Sequence, residues 1–156
     1  MRITTRGRYA LRASLALAKL GKDGSPVSIN ILSEQEDISS VFLEQIFFKL
    51  RKAGIVGSVR GPGGGFYFAR ELDKLTLKEI LGAAGEDLDM VACDKSKQDC
   101  ERIGLCLSHS IWQDVTDLIS NYFRNVTLAS IIEKNLICEE NEKPDTEELS
   151  NGTTGT

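Results

Sequence analysis

Five residues, Gly-Pro-Gly-Gly-Gly at 61–65, limit the possible folds of this chain more than any other segment. Such a run cannot continue a helix or a strand, because glycine is too flexible and proline has no amide donor. The flanking segments, 55–60 and 66–70, are rich in β-branched and aromatic residues and have the length of strands. The sequence therefore predicts a β-hairpin with a Gly/Pro turn.

Three helices are predicted before this hairpin, each with a Ser or Thr that can cap its first turn. Thr4 or Thr5 caps the first, which stops at Gly21, Ser28 caps the second, which runs to about Glu36, and Ser39 caps the third, which runs from Ser40 to Ala53. Apolar residues of the third helix recur at the helical period and predict a buried stripe of Leu43, Ile46, Phe47 and Leu50. The second and third helices, joined by a tight turn, predict a helix-turn-helix, and a hairpin directly after that motif is a wing.

The second half of the chain is predicted to be helical as well. Thr76 and Glu79 form a capping box that begins a fourth helix, a long amphipathic helix runs from Ile111, and a last short helix runs from Thr127 to Asn135. The sequence thus predicts a mostly α protein with a small β-hairpin wing. Its parts are a winged helix-turn-helix domain (1–85), a cysteine-rich loop (86–107), the long helix with a short C-terminal helix (108–138), and an acidic, disordered tail (139–156).

Charge is distributed unevenly along the chain. Residues 1–70 carry 11 Lys and Arg against 5 Asp and Glu, whereas residues 71–156 carry 8 against 18, although the net charge of the whole chain is only −4. A local basic surface is enough to bind a polyanion, and the first half is the candidate. The sequence contains no apolar run of about 18 residues, the length that would span a membrane. We therefore expect a cytoplasmic protein that does not bind membranes.

The polar face of the third helix is the candidate DNA-reading surface, because the first residues of a recognition helix meet base edges in the major groove. The residues placed there are Ser40, Val41, Glu44 and Gln45. Gln45 can bind adenine, Glu44 can accept from the cytosine amino group, and Val41 can contact a thymine methyl group. Arg60, at the tip of the wing, can enter a narrow minor groove. Candidates for phosphate contacts are Arg2, Arg6, Arg8, Arg51 and Lys52.

These segments have two blander interpretations. The third helix could be a solvated amphipathic helix without a ligand, but the wing, its arginine and the charge division favour DNA. Residues 63–65 could form a phosphate cradle, but the Lys-Ser/Thr of a P-loop and the helix that should follow it are missing.

Three of the four cysteines and the only histidine lie close together in the sequence: Cys93, Cys100, Cys106 and His109. Thiolates and imidazole suit an iron–sulfur cluster or zinc. The predicted helix N-terminus next to Cys106 favours its thiolate form. The close pair of cysteines usual for structural zinc is missing, which favours the cluster, while zinc, a disulfide and unligated thiols remain alternatives. Cys138 is predicted to be unpaired.

Several motifs resemble the iron–sulfur cluster regulators of the IscR type, a family of winged helix-turn-helix transcription factors. They lie within residues 1 to about 135 and are Gly7-Arg-Tyr-Ala10, Leu43-Glu-Gln45, Leu50-Arg-Lys52, the segment 58–65, Cys106-Leu-Ser-His109 and Ile111-Trp112. The wing motif is shared by the broad family. The cysteine triplet with the following histidine is specific to its cluster-binding branch.

The resemblance implies a 2Fe–2S cluster bound by Cys93, Cys100, Cys106 and His109. It implies repression of cluster-assembly genes that is relieved when the cluster is lost. It also implies that Ser39, Glu44 and Gln45 contact bases and that Arg60 is the minor-groove arginine. Proteins that donate clusters are further expected partners.

The resemblance also implies a homodimer on double-stranded operator DNA, joined through the long helix. The apolar residues of that helix, and so the expected dimer interface, are Ile111, Val115, Leu118, Ile119, Tyr122 and Val126. This helix has more apolar surface than one small domain can cover, which supports the same expectation.

Three other functions are consistent with parts of this pattern. One is a nitric-oxide or redox-sensing repressor of the same fold with a 4Fe–4S cluster, against which His109 is an argument. Another is a redox enzyme, but no nucleotide motif, second redox pair or catalytic base is visible, and an enzyme is not expected. The third is a zinc-stabilised interaction module, which a mobility shift on promoter DNA would separate from a regulator.

Overall fold

A computed structural model describes residues 2–91, 100 and 102–141 of the chain. The elements follow one another as α1 (Thr5–Leu20), α2 (Ile29–Glu36), α3 (Ser40–Lys52), β1 (Val56–Val59), β2 (Gly65–Phe68), a short 3-10 helix (Leu72–Lys74), α4 (Leu77–Ala84), α5 (His109–Asn125) and α6 (Leu128–Asn141). The predicted order of helices and the predicted hairpin are confirmed. None of the described helices is long and apolar enough to cross a membrane.

Hydroxyl side chains cap the first three helices where the sequence predicted them. Thr4 accepts from the amide of Gly7, Ser28 from that of Ile31 and Ser39 from that of Phe42. Each such cap stabilises its helix by about 1 kcal/mol. Between α2 and α3 the chain turns sharply at Asp37, which adopts a left-handed conformation with φ of 52°. This turn sets α3 against α2 as the second helix of a helix-turn-helix.

The core lies under α3. Its predicted stripe of Leu43, Ile46, Phe47 and Leu50 is at most 1% exposed, and it packs against α1, α2, α4 and β1. The rings of Phe47 and Phe66 lie 4.7 Å apart between centroids, so that β2 also packs against α3. The wing is therefore fixed directly to the helix that precedes it.

The wing is a two-stranded antiparallel sheet in which Val56 pairs with Phe68 and Val59 with Gly65. Val27 adds a bridge on the other side of β2, where its amide and carbonyl each make a 2.9 Å hydrogen bond with Phe66. At Gly65 a Cβ atom would lie only 2.2 Å from the carbonyl oxygen of Val27. Glycine at this position therefore allows the segment before α2 to lie against the wing.

The last two helices leave the winged domain and return to it. α4 begins with the predicted capping box of Thr76 and Glu79 and packs against α1. After α5, the amide of Leu77 donates to the carbonyl of Val126 (2.8 Å) and that of Leu128 to the carbonyl of Leu75 (3.0 Å). Leu128 is fully buried, and the first turn of α6 is thus part of the core.

The end of α6 differs from the prediction. The helix continues to Asn141 rather than ending at Asn135, and it includes the first residues of the segment 139–156, for which disorder was predicted. The physical reason is that glutamate is a good helix former, so that an acidic composition does not by itself end a helix. The remainder of that segment lies outside the described residues.

Candidate DNA-binding face and cysteine segment

The solvent face of α3 carries the predicted reading residues. Val41, Glu44 and Gln45 are exposed, Ser40 is half-buried, and Ser39 is an exposed N-cap whose Oγ accepts from the amide of Phe42 at 3.3 Å. A shallow depression of about 680 Å³ runs along this face and continues to Phe48 and Lys52. Each of the predicted residues therefore lies at the surface of the helix that would enter a groove.

Positive charge surrounds this face. Arg60 is exposed and directly follows β1 in the turn of the wing, and Lys52 is exposed at the end of α3. Arg51 is also exposed, but its guanidinium donates to Ser58 Oγ of β1 at 3.0 Å and lies 5.9 Å from the centre of the Phe48 ring. Arg51 therefore links the recognition helix to the wing.

The three predicted phosphate-binding arginines near the start of α1 are also exposed: Arg2, Arg6 and Arg8. Arg2 and Arg8 line a surface depression of about 510 Å³ together with Ile3, Thr4 and Thr5. Lys49, by contrast, donates from its Nζ to the carbonyl of Ala84 at 3.3 Å and holds α3 to the end of α4.

Glu86 is a structural residue that sequence reasoning missed. Its carboxylate accepts from the amides of Thr4 (3.0 Å) and Gly7 (3.1 Å) and makes a short hydrogen bond with the Thr4 hydroxyl. A Cβ atom at Gly7 would lie 2.6 Å from Glu86 Cγ, so a larger residue would displace this carboxylate. Burial raises the pKa of Glu86, but the hydrogen bonds from Thr4 and Gly7 outweigh it and leave the pKa below its usual value.

The cysteine segment is described only in part. Cys93 lies outside the described residues, as does the side chain of Cys138, whereas Cys100 is half-buried and Cys106 exposed, both as free thiols. His109 is the first residue of α5, and its amide donates to the Cys106 carbonyl at 3.2 Å. Among the described residues, no three His, Cys, Asp or Glu side chains are gathered closely enough to hold a metal ion.

The environment of Cys106 nevertheless suits a metal ligand. The Ser108 hydroxyl lies 3.2 Å from its sulfur, and this hydrogen bond, with further help from the backbone of Ser108 and His109 and the charge of Arg102, lowers the pKa of the thiol. The thiolate is the form that binds metals. Two thiols and an imidazole form a donor set that fits an iron–sulfur cluster or zinc in its chemistry.

No residue of α5 is buried. The predicted interface residues divide into two groups. Ile111, Leu118 and Tyr122 are 59%, 71% and 61% exposed, while Val115, Ile119 and Val126 are half-buried. The opposite side of the helix is attached to the preceding part of the chain, because Thr116 Oγ1 accepts from the amide of Met90 in the loop at 3.2 Å and Lys78 of α4 donates to the hydroxyl of Ser120.

A helix-turn-helix followed directly by a wing, with basic residues around the exposed face of its second helix, defines a winged-helix DNA-binding protein. The family model of Rrf2, described as an iron-dependent transcriptional regulator, matches residues 3–134, and the chain belongs to this family. The predicted membership of a family of transcription regulators, rather than of enzymes, is thereby confirmed.

Individual relatives give the same result. The HTH-type transcriptional regulator IscR of Yersinia pestis is 38% identical over 154 residues, which cover 97% of this chain and 93% of that protein. IscR of Serratia proteamaculans is 36% identical over the same shares of the two chains. Among solved structures, T. potens IscR has a TM-score of 0.69 at 29% identity and covers 97% of this chain and 94% of its own.

A second solved structure is CymR, the global cysteine regulator of B. subtilis. It has a TM-score of 0.71 at 28% identity and covers 86% of this chain and 98% of its own. The resemblance to IscR-type regulators and the winged-helix fold are thus confirmed.

Proposed function

We propose that this transcription regulator senses the supply of iron–sulfur clusters through a 2Fe–2S cluster and acts mainly as a repressor of genes for cluster assembly. The cluster would be held by Cys93, Cys100, Cys106 and His109. When bound, it would supply iron–thiolate bonds to the cysteine loop and an iron–imidazole bond to His109, and together these would tie the loop to the first turn of α5. Proteins that donate clusters would then be partners of this site. The protein would act in the cytoplasm, where it would bind double-stranded operator DNA.

One observation carries this proposal. Cys106 is an exposed thiol whose pKa is lowered, chiefly by its hydrogen bond with Ser108, and it lies three residues before His109, the first residue of α5. The thiolate is the form of cysteine that binds iron or zinc. The IscR relatives, 36–38% identical over 97% of this chain, add support from their names.

The place of the loop in the fold suggests how its state would reach the DNA. Glu86, where the loop leaves the winged domain, is bound to the start of α1, and Met90 is bound to Thr116 of α5. The first residues of the loop are therefore bound both to the DNA-binding domain, through Glu86, and to α5, through Met90. A cluster bound in the loop would fix the angle between the two, and in a homodimer that angle sets the distance between the two recognition helices.

For DNA, we propose that bases are read by Ser39, Ser40, Val41, Glu44 and Gln45. Arg60 would enter the minor groove, and phosphates would be bound by Arg2, Arg6, Arg8, Arg51 and Lys52. The dimer would form through the exposed apolar residues of α5, with Ile111, Leu118 and Tyr122 at its centre and Val115, Ile119 and Val126 beside them. The exposure of Val41, Glu44 and Gln45 supports the first assignment, and that of Ile111, Leu118 and Tyr122 supports the second.

The test is anaerobic reconstitution of wild type, Cys100→Ala and His109→Ala, with Cys138→Ala as the control outside the ligand set. We expect Cys100→Ala to assemble no cluster and His109→Ala to assemble some and lose it faster, with the control unchanged. Visible absorbance and assays for iron and sulfide measure this directly. Operator affinity by mobility shift then shows whether Cys100→Ala behaves as the cluster-free protein.

Other outcomes identify the alternatives. Equal cluster content and lifetime in all four proteins would rule out the ligand set. An iron and sulfide content of the 4Fe–4S type would favour a nitric-oxide or redox sensor. Stoichiometric zinc without sulfide would favour structural zinc, and zinc together with no mobility shift would favour an interaction module.

A further inference from the structure

The solvent face of α3 carries two large apolar side chains that its fold does not use. Val41 is 65% and Phe48 is 59% exposed, whereas the apolar stripe on the other side of the same helix is at most 1% exposed. Phe48 does not belong to the residues packed against the core. A single exposed apolar residue is ordinary, whereas two on the face of the helix that meets DNA are candidates for a contact there.

The two side chains lie on one stripe of the helix. Val41 and Phe48 are seven positions apart, which is two helical turns or about 10.5 Å. Glu44 and Gln45 lie between them at the spacing that places all four on one face. All four line the same shallow depression of about 680 Å³. The polar reading pair is therefore flanked by an apolar group at each end.

Phe48 is also held in place. The guanidinium of Arg51 lies 5.9 Å from the centre of its ring and is itself bound to Ser58 of β1 at 3.0 Å. The ring is thus positioned by the wing as well as by its own helix.

DNA is the occupant that the charge of this surface favours. Lys52 and Arg51 lie beside the stripe, and Arg60 lies on the wing. In the major groove the only apolar group that a base edge presents is the 5-methyl group of thymine. A separation of about 10.5 Å corresponds to about three base-pair steps of 3.4 Å.

We propose that Val41 and Phe48 are a methyl-reading pair, which selects thymine at two operator positions about three base-pair steps apart, one on each side of the bases that Glu44 and Gln45 read. A 5-methylcytosine at either position would satisfy the same contact. This inference rests on DNA binding by α3 but not on the iron–sulfur cluster.

The experiment replaces thymine by uracil, which lacks the methyl group and keeps every hydrogen-bonding group. An operator is first selected from random DNA with the wild-type protein, and each thymine is then replaced singly. We expect two positions at which wild type loses about fourfold in affinity, the effect of removing one buried methyl group. Phe48→Ala should remove the uracil effect at one of them and Val41→Ala at the other, each leaving the second position unchanged.

Lys52→Ala is the matched control, since loss of a phosphate contact should lower affinity for thymine and uracil operators equally. Methylation of cytosine at C5, in an operator where cytosine replaces the relevant thymine, should recover affinity in wild type and not in Phe48→Ala. The proposal is overturned if no uracil effect occurs in wild type, or if the effect persists in both alanine variants. A uniform loss in Phe48→Ala with the uracil effect retained would assign the ring to the sugar–phosphate backbone or to a protein partner instead.

Different experimental outcomes would contradict the cluster proposal and the methyl-reading proposal. Absence of any selected operator would contradict DNA reading by α3 as a whole. An operator bound with a uracil effect by protein that never assembles a cluster would support the methyl-reading pair while removing cluster sensing.

Discussion

The two amphipathic helices α3 and α5 have similar sequence patterns and opposite surroundings. Both place apolar residues at the helical period. In α3 the stripe is at most 1% exposed under the wing and α1, whereas α5 has no buried residue, and Leu118 at the middle of its stripe is 71% exposed. The same pattern thus gives an apolar face that the chain itself buries in α3, and one that stays exposed in the single chain in α5.

This difference shows what apolar periodicity can and cannot predict. It identifies which face of a helix avoids water, because the period of the residues matches that of the helix. It does not identify the surface that covers this face, because that depends on where the chain goes next. For α3 the covering surface is built from other elements of the same chain, namely α1, α2, α4 and β1, and for α5 we expect a second copy of the chain.

The largest effect on stability should come from removing a side chain from the buried stripe of α3. Phe47→Ala removes a fully buried ring that contacts Phe66 of the wing, and we expect a loss of about 3–5 kcal/mol in the free energy of unfolding. The next residue supplies the control, since Phe48→Ala should change stability by less than about 0.5 kcal/mol. Denaturant unfolding of the two variants measures both. Similar losses in both would show that the two faces of α3 have been assigned incorrectly.

A charged residue among the exposed apolar side chains of α5 tests whether a second copy of the chain covers them. Leu118→Asp should weaken the dimer on the order of a hundredfold, because two carboxylates would be buried in an apolar contact, while the fold of each chain is preserved. Analytical ultracentrifugation measures the dissociation constant, and Gln113→Asp, at an exposed position of the same helix, is the control. A wild-type protein that is monomeric with and without DNA would refute the proposed dimer.

Glu86, at the point where the loop leaves the winged domain, should have a smaller and pH-dependent effect on stability. The pKa of Glu86 is lowered in the folded protein, so the charged carboxylate stabilises the fold above its ordinary value of 4.5, and this contribution is lost as the pH falls through the folded pKa. We expect Glu86→Gln to cost about 1 kcal/mol at neutral pH. Its stability should fall less than that of wild type on acidification below pH 4.5, as followed by thermal melting. If the melting temperatures of the two proteins fell equally with decreasing pH, the proposed contact would be contradicted.

The smallest effect concerns the wing. Arg60→Ala should reduce the slope of log affinity against log salt by about one unit or less, which is the value of one phosphate contact. Its oligomeric state should not change, in contrast to that of Leu118→Asp. Binding measured at two or more salt concentrations gives the slope. An unchanged affinity at every salt concentration would show that the tip of the wing does not contact DNA.

Much of the fold could be predicted because it depends on neighbours in the sequence. The hydroxyl caps at Thr4, Ser28 and Ser39 and the capping box of Thr76 act within a single helical turn. The Gly/Pro turn joins two adjacent strands and also has a local signal. Each of these features is visible in a window of a few residues.

The features that could not be predicted join distant parts of the chain. Glu86 binds the start of α1 from 79 positions away, and no spacing in the sequence connects them. Leu128 enters the core only because the chain returns after α5. The contact of Phe48 with Arg51, and that of Arg51 with Ser58, depends on how the wing packs beside α3. The cysteines were predicted from their chemistry, and sequence spacing does not fix their relative positions.

The attachment of α5 makes it a cantilever. Its root is fixed to Met90 of the loop at Thr116 and to the winged domain at Ser120 and Val126, while all residues from 110 to 114 are exposed. At 1.5 Å per residue, the tip at His109 projects about 10 Å beyond the first of these supports. A force applied at the tip acts on the root with that length as its lever arm. A small tilt of the beam is therefore transmitted as a torque to the domain that carries the recognition helix.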